Sequence, residues 1–205
     1  MNLSNKKVYF GKYAFIVRGD VYHPAEDTFL LAHNLTVNEG ERVLDMGTGC
    51  GILAVLATEK ASRVVAVDIN PHAVACTQKN AELNGAEIET RVGNLFEAVE
   101  VDEKFDLIVF NAPYLPVEFG EGKTWVGKAW AGGKTGRVVI DRFIDIVPRH
   151  LTGNGRILLV QSSLSNVERT LKRFSQASLH AVIVDEEKLD FERIVLVKAK
   201  KRPES

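Results

Sequence analysis

Seven short runs of apolar, largely β-branched residues recur along this chain, and helical stretches separate most of them. A chain that alternates in this way has few folds open to it, because short strands must pair side by side while helices cross over the sheet between them. The runs are residues 42–46, 63–68, 88–92, 105–110, 155–161, 180–184 and 192–197. Helical patterning covers 25–35, 52–60, 71–84, 138–151 and 165–175. Residues 105–110 are apolar after Asp106, as suits a strand buried on both faces in mid-sheet. The expected architecture is α/β: a doubly wound, mostly parallel seven-stranded sheet whose last strand runs antiparallel, since only the short acidic turn at 185–187 joins the final pair.

The remaining segments read as accessories to that sheet. Residues 1–24 form a lead-in with a hairpin of 7–10 and 13–17 turning at Gly11-Lys12. Residues 118–136, with six glycines and both tryptophans, read as a long loop, and 198–205 as a polar tail that frays. With no internal repeat or linker, 1–205 is expected to be a single domain. Lys and Arg total 26 against 27 Asp and Glu, a formal net charge of -1, which excludes the global basicity of a dedicated nucleic-acid binder. Cys50 and Cys76 make no disulfide framework, and five scattered histidines share no ligand spacing with them, so no metal site is expected. The start lacks the apolar run of a signal peptide, and no stretch reaches the roughly 18 apolar residues of a spanning helix, so a cytoplasmic chain is expected.

The residues with chemistry fall where the strands end. Gly47, Gly49 and Gly51 follow the first strand of the alternation, with Asp45 and Thr48 beside them. Glycine there lets the backbone turn tightly and approach a ligand. A dinucleotide fingerprint needs another glycine where Ile52 stands, which favours a smaller nucleoside ligand. Asp68, followed by Ile69, ends the second strand, where a carboxylate accepts hydrogen bonds from ribose hydroxyls. Its bland reading as a helix N-cap suits Asn70 better. Asn94 beyond the third strand either meets an adenine amino group or simply completes a turn after Gly93. The fourth strand runs into Asn111-Ala112-Pro113-Tyr114. An Asn carboxamide and a nearby backbone carbonyl together accept the two hydrogens of a planar –NH2 group, with Tyr114 to pack on its face. Trp125 and Trp130 either close over a substrate or anchor the loop, with anchoring favoured for Trp130; Lys134 and Arg137 read as solvated.

The loop 45–51, Asp68 and Asn-x-Pro-Tyr together resemble a class I S-adenosylmethionine-dependent methyltransferase of the amino-methylating kind. Two further blocks, Asp20-Val21-Tyr22-His23-Pro24-Ala25-Glu26-Asp27-Thr28-Phe29 and Ala129-Trp130-Ala131-Gly132-Gly133-Lys134-Thr135-Gly136-Arg137, resemble its HemK-like branch, which methylates the Gly-Gly-Gln glutamine of archaeal and eukaryotic release factors in translation termination. The resemblance spans about residues 20–160. It implies S-adenosyl-L-methionine as cofactor and S-adenosyl-L-homocysteine as product, a pocket lined by Thr28, Asp45, Gly47, Asp68, Asn94, Leu95 and Asn111, and Asn111 also holding substrate. It further implies a small zinc-binding activator subunit docked on the sheet edge at Ile88–Val92. Two positions depart from the family pattern: Ala112 replaces a proline, which keeps the carbonyl and loses rigidity, and Asn94 replaces an aspartate. Two rival functions stand beside this one: N6-adenine methylation of a flipped base in nucleic acid, and a binding protein that holds cofactor without turnover.

Overall fold

In the computed structural model, which describes residues 5–117 and 123–201, the near-continuous apolar runs take the positions that helices cover on both faces. The strands of the main sheet are β3 (Arg42–Met46), β4 (Arg63–Asp68), β5 (Glu89–Val92), β6 (Phe105–Asn111), β7 (Leu151–Ser162), β8 (Leu179–Lys188) and β9 (Arg193–Lys201). They lie in the order β5-β4-β3-β6-β7-β9-β8, parallel except for β9, which runs antiparallel to both β7 and β8. The chain steps outward from β3 through β4 to β5 and then returns to place β6 on β3's other side. That reversal opens a crevice at the carboxyl ends of β3 and β6, where doubly wound sheets bind ligands.

Helices α1 (Glu26–Asn34), α2 (Ile52–Ala57), α3 (Pro71–Asn84), α5 (Val138–Ile146) and α6 (Val167–Gln176) pack on the sheet. Leu44, Ile108, Phe110, Phe143, Leu159 and Leu196 are buried between the layers. The lead-in hairpin of β1 (Lys6–Phe10) and β2 (Tyr13–Val17) turns at Gly11 as its pattern predicts, and sits on α3. Asn80 and Asn84, one turn apart, each accept from and donate to β2 backbone, at Ile16 and Ala14 respectively, as a neighbouring strand would.

Several boundaries differ from the sequence pattern, each for a local reason. α2 ends at Ala57, short of residue 60, where the Thr58 hydroxyl turns back onto the Val55 carbonyl at 2.7 Å. The expected helix over 138–151 stops at Ile146; a 3-10 turn carrying Pro148 follows, and β7 begins at Leu151 rather than at 155. Between Phe105↔Leu151 and Leu107↔Arg156 the register shifts, and Gly155 fits there because a Cβ on it would stand 2.9 Å from the Phe105 carbonyl oxygen. α6 starts at Val167 behind an Asn166 cap, not at 165. Residues 185–187 are strand, not turn: they belong to the outermost strand, whose open side tolerates charge. The turn falls at 189–192 instead. Lys198–Lys201 are also strand rather than frayed tail, with Ala199 fully buried, while residues 202–205 lie outside the described residues. Within the expected long loop, α4 (Trp125–Trp130) is helical, capped by the Thr124 hydroxyl; residues 118–122 of that loop lie outside the described residues.

Candidate active site

The loop leaving β3 holds Gly47, Gly49 and Gly51 at φ of 69°, 59° and 84°, a region L side chains rarely enter. The three glycines serve different ends. A Cβ on Gly51 would press to 2.8 Å on Thr77 of α3, so this glycine permits helix packing behind the loop. A Cβ on Gly47 would meet the Phe110 ring at 3.2 Å, whereas one on Gly49 would meet nothing within 4 Å, because open space lies above it. Backbone N–H groups of Gly47 and Thr48 donate to the Val67 carbonyl at 2.7 and 3.1 Å, tying the loop to the end of β4. Asp45 is fully buried beneath the loop, accepting from the Thr48 hydroxyl at 2.7 Å. Burial pushes its carboxyl up to about 7.

Above Gly49 is a cavity of about 490 Å³. One wall is Gly47, Thr48, Gly49, Asp68, Ile69, Asn94 and Leu95. Asp68 accepts the Gly49 and Asn70 N–H groups at 2.9 and 2.8 Å, and burial pushes its carboxyl above the usual range. Asn70, not Asp68, caps α3 by accepting from the His72 N–H. Leu95 sits at φ 55°, a strained conformation for a branched side chain, in the turn that brings Asn94 to the rim. Asp45 and Gly51 stand behind this wall rather than in it.

The facing wall contains Thr28, Asn111 and Pro113. At the end of β6, the Asn111 amide donates to Thr28 Oγ1 at 3.2 Å, while its Oδ1 is buried without a partner. Thr28 and Asp27 occupy the first turn of α1. Asp27 receives the Tyr22 and Tyr114 hydroxyls, both at 3.0 Å, and the N–H and hydroxyl of Thr28. Ala112 and Tyr114 face a second, smaller cavity of about 280 Å³ with Tyr22, Asp27, Leu115, Ala129 and Trp130. The segment 130–137 braces this wall, with Ala131 and Gly133 themselves lining the cavity. Leu115 N–H donates to the Trp130 carbonyl and Gly132 N–H to the Leu115 carbonyl, both at 2.9 Å. A Cβ on Gly136, whose φ is 69°, would stand 2.2 Å from the Tyr114 carbonyl oxygen. Arg137 is only 3% exposed, against the expectation of a solvated side chain. Its two terminal nitrogens hold the Ser165 and Asn166 carbonyls, Thr170 and Asp141, which tie the brace to α5 and α6, while Nε is buried without a partner. Lys134 is exposed as expected. Trp125 lines the larger cavity edge-on to His72, and Lys128 stands over its ring.

Residues that motif spacing did not single out are thus Tyr22, Asp27, Lys128 and Arg142. Asp27 is adjacent to Thr28 in the sequence and Tyr22 is five residues away, but nothing local shows that Tyr114, 87 residues on, converges on the same carboxylate. Among the described residues no three His, Cys, Asp or Glu side chains gather to hold a metal, and no helix is long and apolar enough to cross a membrane.

Comparison with known proteins follows the same geometry. Residues 24–125 match the model of the methyltransferase small domain. A Methanocaldococcus jannaschii protein, MJ0928, provisionally named a protein N5-glutamine methyltransferase, is 37% identical over 182 residues, covering 88% of this chain and 91% of that protein. The methyltransferase HEMK2 of Homo sapiens is 39% identical over 164 residues, covering 75% of this chain and 77% of that one. Among solved structures, the E. cuniculi Mtq2 chain from the Mtq2-Trm112 complex, responsible for methylating the termination factor eRF1, superposes with a TM-score of 0.70 at 25% identity, covering 89% of this chain and 99% of that one.

Proposed function

From the premise that this chain belongs to the HemK-like protein-glutamine methyltransferases, we propose that it methylates the side-chain nitrogen of the Gly-Gly-Gln glutamine in a peptide-chain release factor. It is an S-adenosylmethionine-dependent enzyme of the class I fold, and the proposal treats residues 1–205 as one methyltransferase domain. The observation that carries the substrate reading is Asn111, a cavity-lining residue whose oxygen is buried without a partner. A buried acceptor left without a donor costs about 1–3 kcal/mol unless a ligand supplies one. A planar amide –NH2 does so.

The site suits the cofactor on the same grounds. The open space over Gly49, the strand-end carboxylate of Asp68 and a cavity in the small-molecule size range fit an adenosine bearing a charged amino-acid tail. When bound, that group supplies an electrophilic methyl carbon on sulfonium. Gly47, Thr48, Gly49, Asp68, Ile69, Asn94, Leu95 and Thr28 hold it, with Asp68 accepting from the ribose; Asp45 and Gly51 act from behind by shaping the loop. An amide nitrogen is a poor nucleophile, its lone pair being delocalised into the carbonyl. The chain therefore works by alignment: Asn111 Oδ1 and the Ala112 carbonyl take the two N–H bonds as positive charge grows on nitrogen, Pro113 stiffens the loop, and Tyr114 backs it. No strong general base is needed. The named relatives do not favour the adenine-methylating rival, and a net charge of -1 gives it no support.

The same reading includes a partner. β5 is a sheet edge with Val92 57% exposed, and the Mtq2 relative is itself a complex with Trm112. A small zinc-binding subunit pairing along Ile88–Val92, in the cytoplasm, completes the proposal. The test is transfer of tritiated methyl from cofactor to a release factor, with and without such a subunit. Label should appear in the intact factor and vanish when its Gly-Gly-Gln glutamine is changed. Label that persists after that change overturns the reading.

A further inference from the structure

A hydroxyl has one hydrogen to give, and at Thr28 that arithmetic decides which way a neighbouring amide points. Thr28 Oγ1 lies 3.1 Å from Asp27 Oδ1 and 3.2 Å from Asn111 Nδ2. An ionised carboxylate only accepts, so the Thr28 hydrogen goes to Asp27 and only lone pairs remain for Asn111. Asn111 must then turn its –NH2 toward Thr28. Its Oδ1 faces the other way, where it is buried and unpartnered. The reversed amide would set oxygen against an oxygen with no hydrogen to offer.

The rest of Asp27's surroundings add donors. Burial raises both the Tyr22 and Tyr114 phenols well above their ordinary value, so each keeps its proton and donates it to Asp27 at 3.0 Å. The Thr28 N–H adds a contact of 2.6 Å. Four donors converge on one carboxylate that is 5% exposed. Asp27 thereby grips the loop after β6 at two points, the Asn111 amide through Thr28 and the Tyr114 ring directly.

We propose that Asp27 is a positioning residue that, through Thr28, selects the amide orientation in which Asn111 accepts. This rests on the glutamine-methylation reading above. The orientation matters because the substrate also brings N–H groups: a flipped Asn111 would oppose donors with donors. Asp27 touches neither cofactor nor substrate in this scheme.

The experiment is a double-mutant cycle on the full chain. Asp27→Ala should lower kcat about 10- to 100-fold, the cost of a misplaced reacting group, with cofactor affinity by calorimetry unchanged. In an Asn111→Ala background the same substitution should add no further loss, since no amide remains to orient. Because Asp27→Ala also strips two tyrosines of their acceptor and can cost folding, Thr28→Val, which leaves those bonds in place, runs in parallel. A loss that multiplies fully on Asn111→Ala, or wild-type kcat in both single variants, overturns the proposal. A readout free of turnover is the 15N side-chain amide signal of Asn111 in the cofactor-free chain. It should shift in both variants, and a signal unmoved in both overturns the proposal. If the wild-type chain methylates no glutamine, the functional reading falls, and the amide signal still decides the role of Asp27.

Discussion

The two walls of the larger cavity are built over different ranges of the chain. The wall of Gly49, Asp68 and Asn94 is made where consecutive strands end, and its bonds are short in sequence: Gly49 to Asp68 spans 19 residues and Asn70 to Asp68 only 2. The wall of Asn111 is made by segments that meet only in the fold, Asn111 to Thr28 across 83 residues and Tyr114 to Asp27 across 87. They also differ in what they leave unspent. On the first wall both carboxylate oxygens of Asp68 already hold the backbone; on the second, Asn111 keeps one buried oxygen without a donor. In the proposed scheme Asp68 meets the cofactor and the open oxygen of Asn111 meets the substrate amide, while Asp45 Oδ1 beneath the first wall is likewise without a partner.

That contrast breaks most sharply at Asn111. Asn111→Ala should lower kcat about 10²–10³-fold, the usual loss for one preorganised contact, with cofactor still bound in calorimetry. Turnover like wild type would remove the second wall from the mechanism. Gly136→Ala tests whether the brace sets the loop at a residue outside the cavity lining: a Cβ there would meet the Tyr114 carbonyl at 2.2 Å. A displacement on the order of 1 Å should cost about 10²-fold in kcat, again with cofactor affinity kept. Asp68→Ala should do the reverse, weakening cofactor binding by about 1.5–3 kcal/mol, roughly 10- to 150-fold in Kd, while saturating cofactor restores most of the rate. An unchanged Kd would take Asp68 out of the first wall. The smallest effect is expected for Ala112→Pro. It removes a long N–H bond to the Val160 carbonyl at 3.4 Å, about 0.5–1.5 kcal/mol at most, and leaves the Ala112 carbonyl, which the proposed scheme assigns to the substrate amide. Asn111, at the end of a strand, already has the extended backbone that a following proline demands. Tm should fall slightly and kcat should hold.

Much of this was legible without a structure, and the reasons are local. Alternating apolar runs set the strands, Pro71 and Gly85 bounded α3 to the residue, and glycine spacing after Met46 marked the loop. The errors share a cause as well. The charge of residues 185–187 and 198–201 suggests turn and tail, but an edge strand and its neighbour carry charge on an open face while Ala199 and Ile194 stay buried. A cation at a helix start reads as solvated, and the carbonyl partners that bury Arg137 lie beyond residue 160.

The sequence by itself therefore determined what depends on neighbours along the chain: the period of each element, where the backbone must turn, and which polar side chains stand at strand ends. Only the tertiary structure decided what depends on neighbours across space. It chose which of the three glycines line the cavity, that Asp45 lies beneath the loop and not in the wall, and that Asn111 turns its –NH2 to Thr28. Those outcomes follow from which donors and which atoms arrive from elsewhere in the chain, and hydrogen-bond valence and excluded volume are settled only once they have arrived.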